Sequence, residues 1–368
     1  MREAALALPS PLARSAARYR RNIPAIGALA ALVAFFLFAF IGPFLAPLPF
    51  DRAFTSYVKA APSLIAHPTR VEAERALHSV ANRMRATLAE FEIDATRARA
   101  TLTAERPIDV RLIAYFERSD AFGPATIDET SDDGRRIVVM APLRRIPLYA
   151  GADDNGRDLL SRMMVGTRVS FIVGALGSAV ALIVGVAYGA FAGFVGGRVD
   201  LVMMRLVDAL YALPFIFFVI LLVAFFGRRF ELIFLAIGAV EWLDMARLAR
   251  GQTLSLKRQE FVAAAEAMGV RPMTILTRHV APNLMGPIAA FLAVLTPRVI
   301  LLESFLSFLG LGVQEPMTSL GVLVADGARN IEDAPWLVLF PSALLSAILL
   351  AFNFVAEGLR EALDPRQR

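Results

Sequence analysis

The chain's 368 residues are 57% hydrophobic and 19% charged, with a mean hydropathy of +0.58, too apolar for an ordinary soluble domain and pointing to a polytopic membrane protein. There is no cysteine, which excludes disulfides, thiolate nucleophiles and cysteine-ligated metals, and His67, His78 and His279 are too scattered for a zinc-type cluster. The net charge of +5 is read as positive loops at a membrane rather than as nucleic-acid binding.

Residues 1–23 read as a tail bearing Arg14, Arg18, Arg20 and Arg21. The apolar run at 24–48 is too long for a cleavable signal, and "FIGPFLAPLPF" lacks a small-x-small site, so it is taken as a first span. Residues 49–150 form a long insertion of mixed α and β character. In it Leu77, Val80, Met84, Leu88, Phe91, Ala95, Ala98 and Leu102 recur every three or four positions, predicting one long helix or coiled-coil-like arm between Pro68 and Pro107. "RLIAYF" and "RRIVVMAP" then read as short strands flanking the polar turn "DETSDDG". The insertion is either a loop without a task of its own or a dock for an external partner.

Residues 151–359 form the core. Its spans are expected at 168–194, 206–227, 230–247, 286–309 and 335–358, six in all with the first, each near the roughly 20 residues that cross a bilayer. The fourth is the weakest, because it is short and contains Glu241 and Asp244. "DDNGRD" at 153–158 lacks the alternating ligands of a calcium loop and reads as a turn leading into a helix, with no metal. Gly177, Ala181, Gly185, Gly189 and Gly193 are four apart, a small-residue stripe that lets another helix approach closely. Residues 360–368 are a second tail.

Short-loop arginines and lysines set the orientation. They collect on the first tail, on 198–205, on 247–278 and on the last tail with Arg360, Arg366 and Arg368, whereas 310–334 carries only Arg329 against Glu315, Asp326, Glu332 and Asp333. Both termini are therefore expected in the cytoplasm and the 49–150 insertion outside.

The stretch "EFVAAAEAMGVRPMTILTRHVAPNL" at 260–284 carries no catalytic set. "QEFVAAAEAMG" favours a helix, Gly269 suits the left-handed position beyond its end, and Pro272 can open a second helix over "MTILTRHV", closed by "APN". Phe261, Val262 and Ala265 offer the first helix an apolar side, a shape suited to a groove on a soluble partner.

That pattern resembles the coupling motif of bacterial ABC importer permeases: Glu-Ala-Ala, three residues, Gly, nine residues, then hydrophobic-x-Leu-Pro. With Gly269 in register, the Glu-Ala-Ala positions are Ala263, Ala264 and Ala265, and the ending is His279, Val280, Ala281 and Pro282; Ala263 replaces the usual Glu and Ala281 the usual Leu. "GADDNGRDLLSRMMVGTRVSFIVG" (151–174), "LLESFLSFLGLGVQEPMTSLG" (301–321) and "APWLVLFPSALLSAILLAFNFVAEGLREALDPRQR" (334–368) resemble the second permease type of the dipeptide, oligopeptide and nickel branch, over about 15–50 and 148–368.

The resemblance implies an all-α type I ABC importer permease fold of six transmembrane helices in a bacterial inner membrane. It also implies a heterodimer with a sister permease, two ATP-binding subunits carrying ATP and Mg, an extracytoplasmic solute-binding protein, and no cofactor in this chain. Coupling to the ATPase is expected at Glu260, Phe261, Ala263, Ala264, Ala265, Glu266, Gly269, Arg278, His279 and Pro282, within helices at 255–285. The chain is not expected to be an enzyme: the lysines are Lys59 and Lys257, and neither follows a glycine as a phosphate-binding Gly-Lys-Ser/Thr loop demands.

Arg298 and Glu303 are candidates for the translocation path; five residues apart on a helix, they project in different directions. Peptides are the expected cargo, with nickel complexes or other small solutes as the alternative. An ion-gradient transporter is disfavoured by the lack of paired intramembrane carboxylates in related halves, and a membrane-anchored sensor built on the insertion is the remaining alternative.

Overall fold

The computed structural model describes residues 17–227 and 229–363; Arg14, Arg366 and Arg368, counted above toward orientation, lie outside the described residues. The principal helices are α1 (Ile23–Phe40), α2 (Arg70–Arg83), α3 (Leu159–Val195), α4 (Gly197–Tyr211), α5 (Phe215–Phe226), α6 (Phe230–Leu256), α7 (Glu260–Ala267), α8 (Pro272–Ile275), α9 (Ala281–Phe308), α10 (Leu320–Arg329) and α11 (Trp336–Leu363). The strands are β1 (Thr87–Ile93), β2 (Arg97–Thr103), β3 (Thr126–Thr130) and β4 (Arg136–Pro142). Two compact units result: one of 1–42, 163–326 and 341–368, the other of 43–162 and 327–340.

In the first unit, α1, α3, the continuous run Pro272–Phe308 and α11 are each long and apolar enough to cross a membrane, and the bent pair α4 and α5 makes a fifth span if taken as one. The expected fourth span falls on α6, whose 27 residues include Glu231, Glu241, Asp244, Arg247 and Arg250 and do not meet that standard. The expected third span, one helix over 206–227, is corrected. Its first half belongs to α4, which begins at Gly197, and the axis turns by 80° before α5. Pro214 is the cause, since a proline disfavours helical backbone at the residue before it, here Leu213.

The stripe on α3 meets α6 of this same chain. A Cβ on Gly185 would stand 2.7 Å from the Trp242 carbonyl oxygen and one on Gly193 2.8 Å from that of Arg250; on Gly189 it would collide with the Ala246 backbone. Gly177 faces Val299 of α9 instead, at 2.9 Å. Ala181 is fully buried on the same line. With no side chains between them, the two backbones come into direct contact, the packing available to helices that gain nothing from leaving water.

The second unit is an antiparallel sheet in the order β1-β2-β4-β3. β2 and β4 are in register from Arg97 opposite Pro142 to Thr103 opposite Arg136, and β1 and β3 each carry one irregularity. α2 lies on the sheet: Ala73, Leu77 and Val80 bury against Ala98, Ala100, Leu102, Ile137 and Val139. Thr69 and Glu72 close a capping box at its start, Thr69 N–H donating to Glu72 Oε2 at 2.7 Å. The single long helix expected from Pro68 to Pro107 is therefore wrong: it ends at Arg83, and Arg85 sits at φ +54°. The residues beyond alternate instead. Ala98, Ala100 and Leu102 point into the core while Arg97 and Arg99 stay outside, the period of two of a half-buried strand. "RLIAYF" is likewise helical rather than a strand, as a tight turn at Val110–Ile113 and a short helix Ala114–Arg118. "RRIVVMAP" does form β4, and part of the expected turn "DETSDDG" extends β3.

At "DDNGRD" the Asp153 Oδ1 accepts from the N–H groups of Asn155 (2.9 Å) and Arg157 (2.8 Å), and Oδ2 pairs with Arg157 Nε at 2.7 Å. Asp158 then caps α3, accepting from Ser161 N–H at 2.8 Å and from its hydroxyl at 2.6 Å. A carboxylate at this end complements the helix dipole.

Candidate functional site

The stretch at 260–284 folds as two helical segments about a glycine. Gly269 adopts φ +73°. Its N–H donates to Glu266 O at 2.9 Å, and Val270 N–H donates to Ala265 O at 3.1 Å. This pair of bonds is a Schellman ending, which needs a left-handed residue where glycine stands. Pro272 occupies the first turn of α8, where no N–H is required. The second segment is not closed by "APN", as expected, but runs on into α9. A π-helical turn at Leu276–Val280 absorbs Pro282: Ala281 N–H reaches back to Leu276 O, and Asn283 Nδ2 donates to His279 O at 2.6 Å. One inserted residue thus accommodates the donor that Pro282 lacks.

The two faces of α7 differ. Val262 and Ala265 are buried in one core with Ile275, Leu276, Val280 and Leu284. Phe261, Ala264 and Met268, spaced three and four apart, lie on the open side, with Phe261 40% and Met268 75% exposed. Met273, 58% exposed, adds to them across the glycine turn. Glu260, Ala263, Glu266, Gly269, Arg278 and Pro282 are exposed, and His279 is half-buried. Beside the turn lies a pocket of about 590 Å³, with Phe191, Phe194, Lys257, Glu266, Val270 and Met273 in its wall. Met268 and Met273 had not been singled out in the sequence; the signal was the position of Met268 seven residues after Phe261, two helical turns along the same face.

Behind α7, three contacts tie α6 to its neighbours. Lys257 Nζ donates to Phe194 O at 2.6 Å, satisfying a carbonyl at the end of α3. Arg250 grips Asp200 of α4 through two bonds of 2.6 and 2.7 Å. Arg247 bonds Asp208 at 3.0 Å and lies over the Tyr211 ring. None of these pairs was anticipated, because the partners are 39 to 63 residues apart in the chain.

Arg298 and Glu303 are separated, as their helical spacing implies. The Arg298 side chain is 50% exposed and bridges to α6, with Glu241 at 3.4 Å and Asp244 at 2.9 Å. Glu303 is fully buried, accepting from the hydroxyls of Ser170 of α3 (3.2 Å) and Ser307 (2.7 Å). Nothing in this arrangement is a nucleophile paired with a base. It is an open apolar surface backed by cross-linked helices.

Comparison with known proteins gives consistent matches. Residues 181–368 match the family described as binding-protein-dependent transport system inner membrane component, and residues 10–62 match the N-terminal TM domain of oligopeptide transport permease C. The chain is 46% identical over 257 residues to the oligopeptide transport system permease protein OppC of Haemophilus influenzae, covering 70% of this chain and 82% of that one. It is 54% identical over 220 residues to the protein of the same name in Escherichia coli, covering 60% and 73%. The dipeptide transport system permease protein DppC of Bacillus subtilis is 41% identical over 221 residues, covering 60% and 69%.

Proposed function

The chain belongs to the family of binding-protein-dependent transport system inner membrane components, and from that premise we propose that it is the permease subunit of an ATP-driven importer of di- or oligopeptides. The observation that carries the coupling role is α7: one face locked into the core, the other an open apolar stripe ending at a glycine turn. Such a face fits a groove on a separate subunit. Methionines at its end suit an adaptable contact, and with Ala263 at the usual Glu position the contact rests on shape and apolar area, with Glu260 and Glu266 at its rim.

In this reading the permease has six spans, α6 being the one shielded least by its composition, and both termini are cytoplasmic. Its partners are a sister permease that completes the pathway, two subunits that bind ATP and Mg, and an extracytoplasmic solute-binding protein. ATP binding draws the ATPase pair together, α7 passes that displacement to α6 and α9, and the permease pair alternates its access. Arg298, half-exposed, is the better candidate than the buried Glu303 for a wall of the path.

The test is reconstitution of the complete transporter in vesicles. Phe261→Glu and Met268→Glu are expected to leave the chain folded while abolishing peptide uptake and peptide-stimulated ATP hydrolysis, whereas Gly269→Pro, which can neither hold φ +73° nor donate to Glu266 O, should break the turn itself. Uptake and hydrolysis both unchanged in Phe261→Glu and Met268→Glu would remove the coupling role. Uptake of a nickel chelate but of no peptide would overturn the cargo assignment.

A further inference from the structure

The second unit holds a polar cavity of its own. It has a volume of about 310 Å³ and lies among α2, the turn at 55–57 and the segment 118–121. Three arginines line it: Arg75 and Arg83 on α2, and Arg118 at the end of the short helix Ala114–Arg118. Ser79, four residues from each of the first two, shares their helical face. Thr55 and Ser119 bring hydroxyls from the other two walls.

The positive charge is uncompensated. Among the described residues, none of the three arginines forms an ion pair. Arg118 has only the Tyr115 ring, 5.5 Å from its guanidinium carbon. Glu72 is the one carboxylate in the lining, and it is engaged elsewhere: His67 Nδ1 lies 2.9 Å from one oxygen and 3.1 Å from the other, and Thr69 N–H donates at 2.7 Å. The neighbouring Asp120 is also occupied, by Ser56 N–H at 2.9 Å and the Thr55 hydroxyl at 3.4 Å. All three arginines are exposed to solvent and line the same cavity, and like charges gathered at one site favour an anion between them. Each offers a planar fork of donors matched to a pair of carboxylate or phosphate oxygens, and the serine hydroxyls can complete the shell.

We infer that this cavity is a binding site for a small oxyanion, a molecule carrying carboxylate or phosphate groups that fits within its volume. The inference stands apart from the transport reading, since it rests on the second unit alone. α2 supplies two of the three cations, eight residues apart on one helical face, and the capping box fixes where that helix begins.

The experiment is calorimetric titration of the full chain in detergent at low ionic strength, with inorganic phosphate in one arm and citrate in the other. Saturable binding of one probe per chain is expected in at least one arm, and the two arms separate phosphate from carboxylate recognition. Arg75→Gln and Arg83→Gln should each weaken it about tenfold, the loss of one charge-assisted hydrogen-bonding group. Arg111→Gln, exposed on the same unit but outside the cavity, should leave it unchanged. Absence of saturable binding by both probes to the unaltered chain overturns the site, as does an equal loss in Arg111→Gln.

Discussion

Glu303 is a carboxylate with no exposed surface, and its partners are hydroxyl groups rather than a cation. Its stability depends on those donors. Removing the acceptor by Glu303→Ala strands two buried hydroxyls and leaves a cavity, at a cost of about 3 kcal/mol. Glu303→Gln keeps one oxygen in place and should cost about 1 kcal/mol. Thermal unfolding in detergent distinguishes them, and a glutamine variant no better than the alanine one would contradict the role given to the oxygen. At this scale much of the coupling stretch was legible. Gly269 tolerates the left-handed backbone that other residues avoid and Pro272 is pre-set for a first helical turn, and the sequence puts them at a helix end and a helix start. The fate of Pro282 was not legible, because a π-helical turn is a local compromise with no side-chain signature of its own.

Among the elements, α3 and α6 show what spacing can and cannot convey. Glycines four apart mark a surface without side chains, but only the fold shows that Trp242, Ala246 and Arg250 fill it. Gly189→Leu must drive the helices apart at backbone contact and should destabilise the chain by about 2 kcal/mol, whereas the same change at Gly251, with open space around it, should be nearly neutral. An unfolding midpoint equally lowered by both would remove the packing argument. The Arg250–Asp200 pair is partly solvated, so a double-mutant cycle with alanine at each position should give a coupling of about 1 kcal/mol.

The error over 69–106 has a physical cause. Leu77, Val80 and Met84 are a true helical stripe, and Leu88, Phe91 and Ala98 happen to prolong its spacing. The competing signal was the alternation of "RARATL", polar then apolar at each step, with Thr101 the one polar position that is buried. At the start of α2, partial burial raises the pKa of Glu72, but the Thr69 N–H, the His67 ring and the Thr69 hydroxyl outweigh it and hold the carboxyl below its usual range. A carboxyl whose pKa is lowered on folding stabilises above its unfolded value and loses that contribution as pH falls through the folded one. The protection of the first-turn amides of α2, exchange measured relative to the intrinsic rate at each pH, should therefore fall on acidification below the ordinary value of 4.5, and Glu72→Gln should remove that pH dependence. Identical pH profiles in the two proteins would discount the cap.

For the molecule as a whole, the absence of cysteine makes the proposed orientation directly measurable. Single cysteines at Glu90 in β1 and at Met268, both exposed, should differ toward an impermeant maleimide in right-side-out vesicles: Glu90→Cys labelled, Met268→Cys protected until the membrane is opened. Labelling of both from outside would invert or abolish that orientation.

The glycine contact also bears on how force travels. A joint made of side chains has slack, because rotamers can yield before the helices do. Where α3 and α6 touch backbone to backbone there is nothing to yield, and Lys257 pins the end of one to the foot of the other. In the proposed coupling, a push on α7 would reach α6 through only three intervening residues and would move both rods together, like a gear train without backlash. Compliance is left to the places with room to bend: the elbow before Pro214, and Gly227 at φ +78° with open space around it.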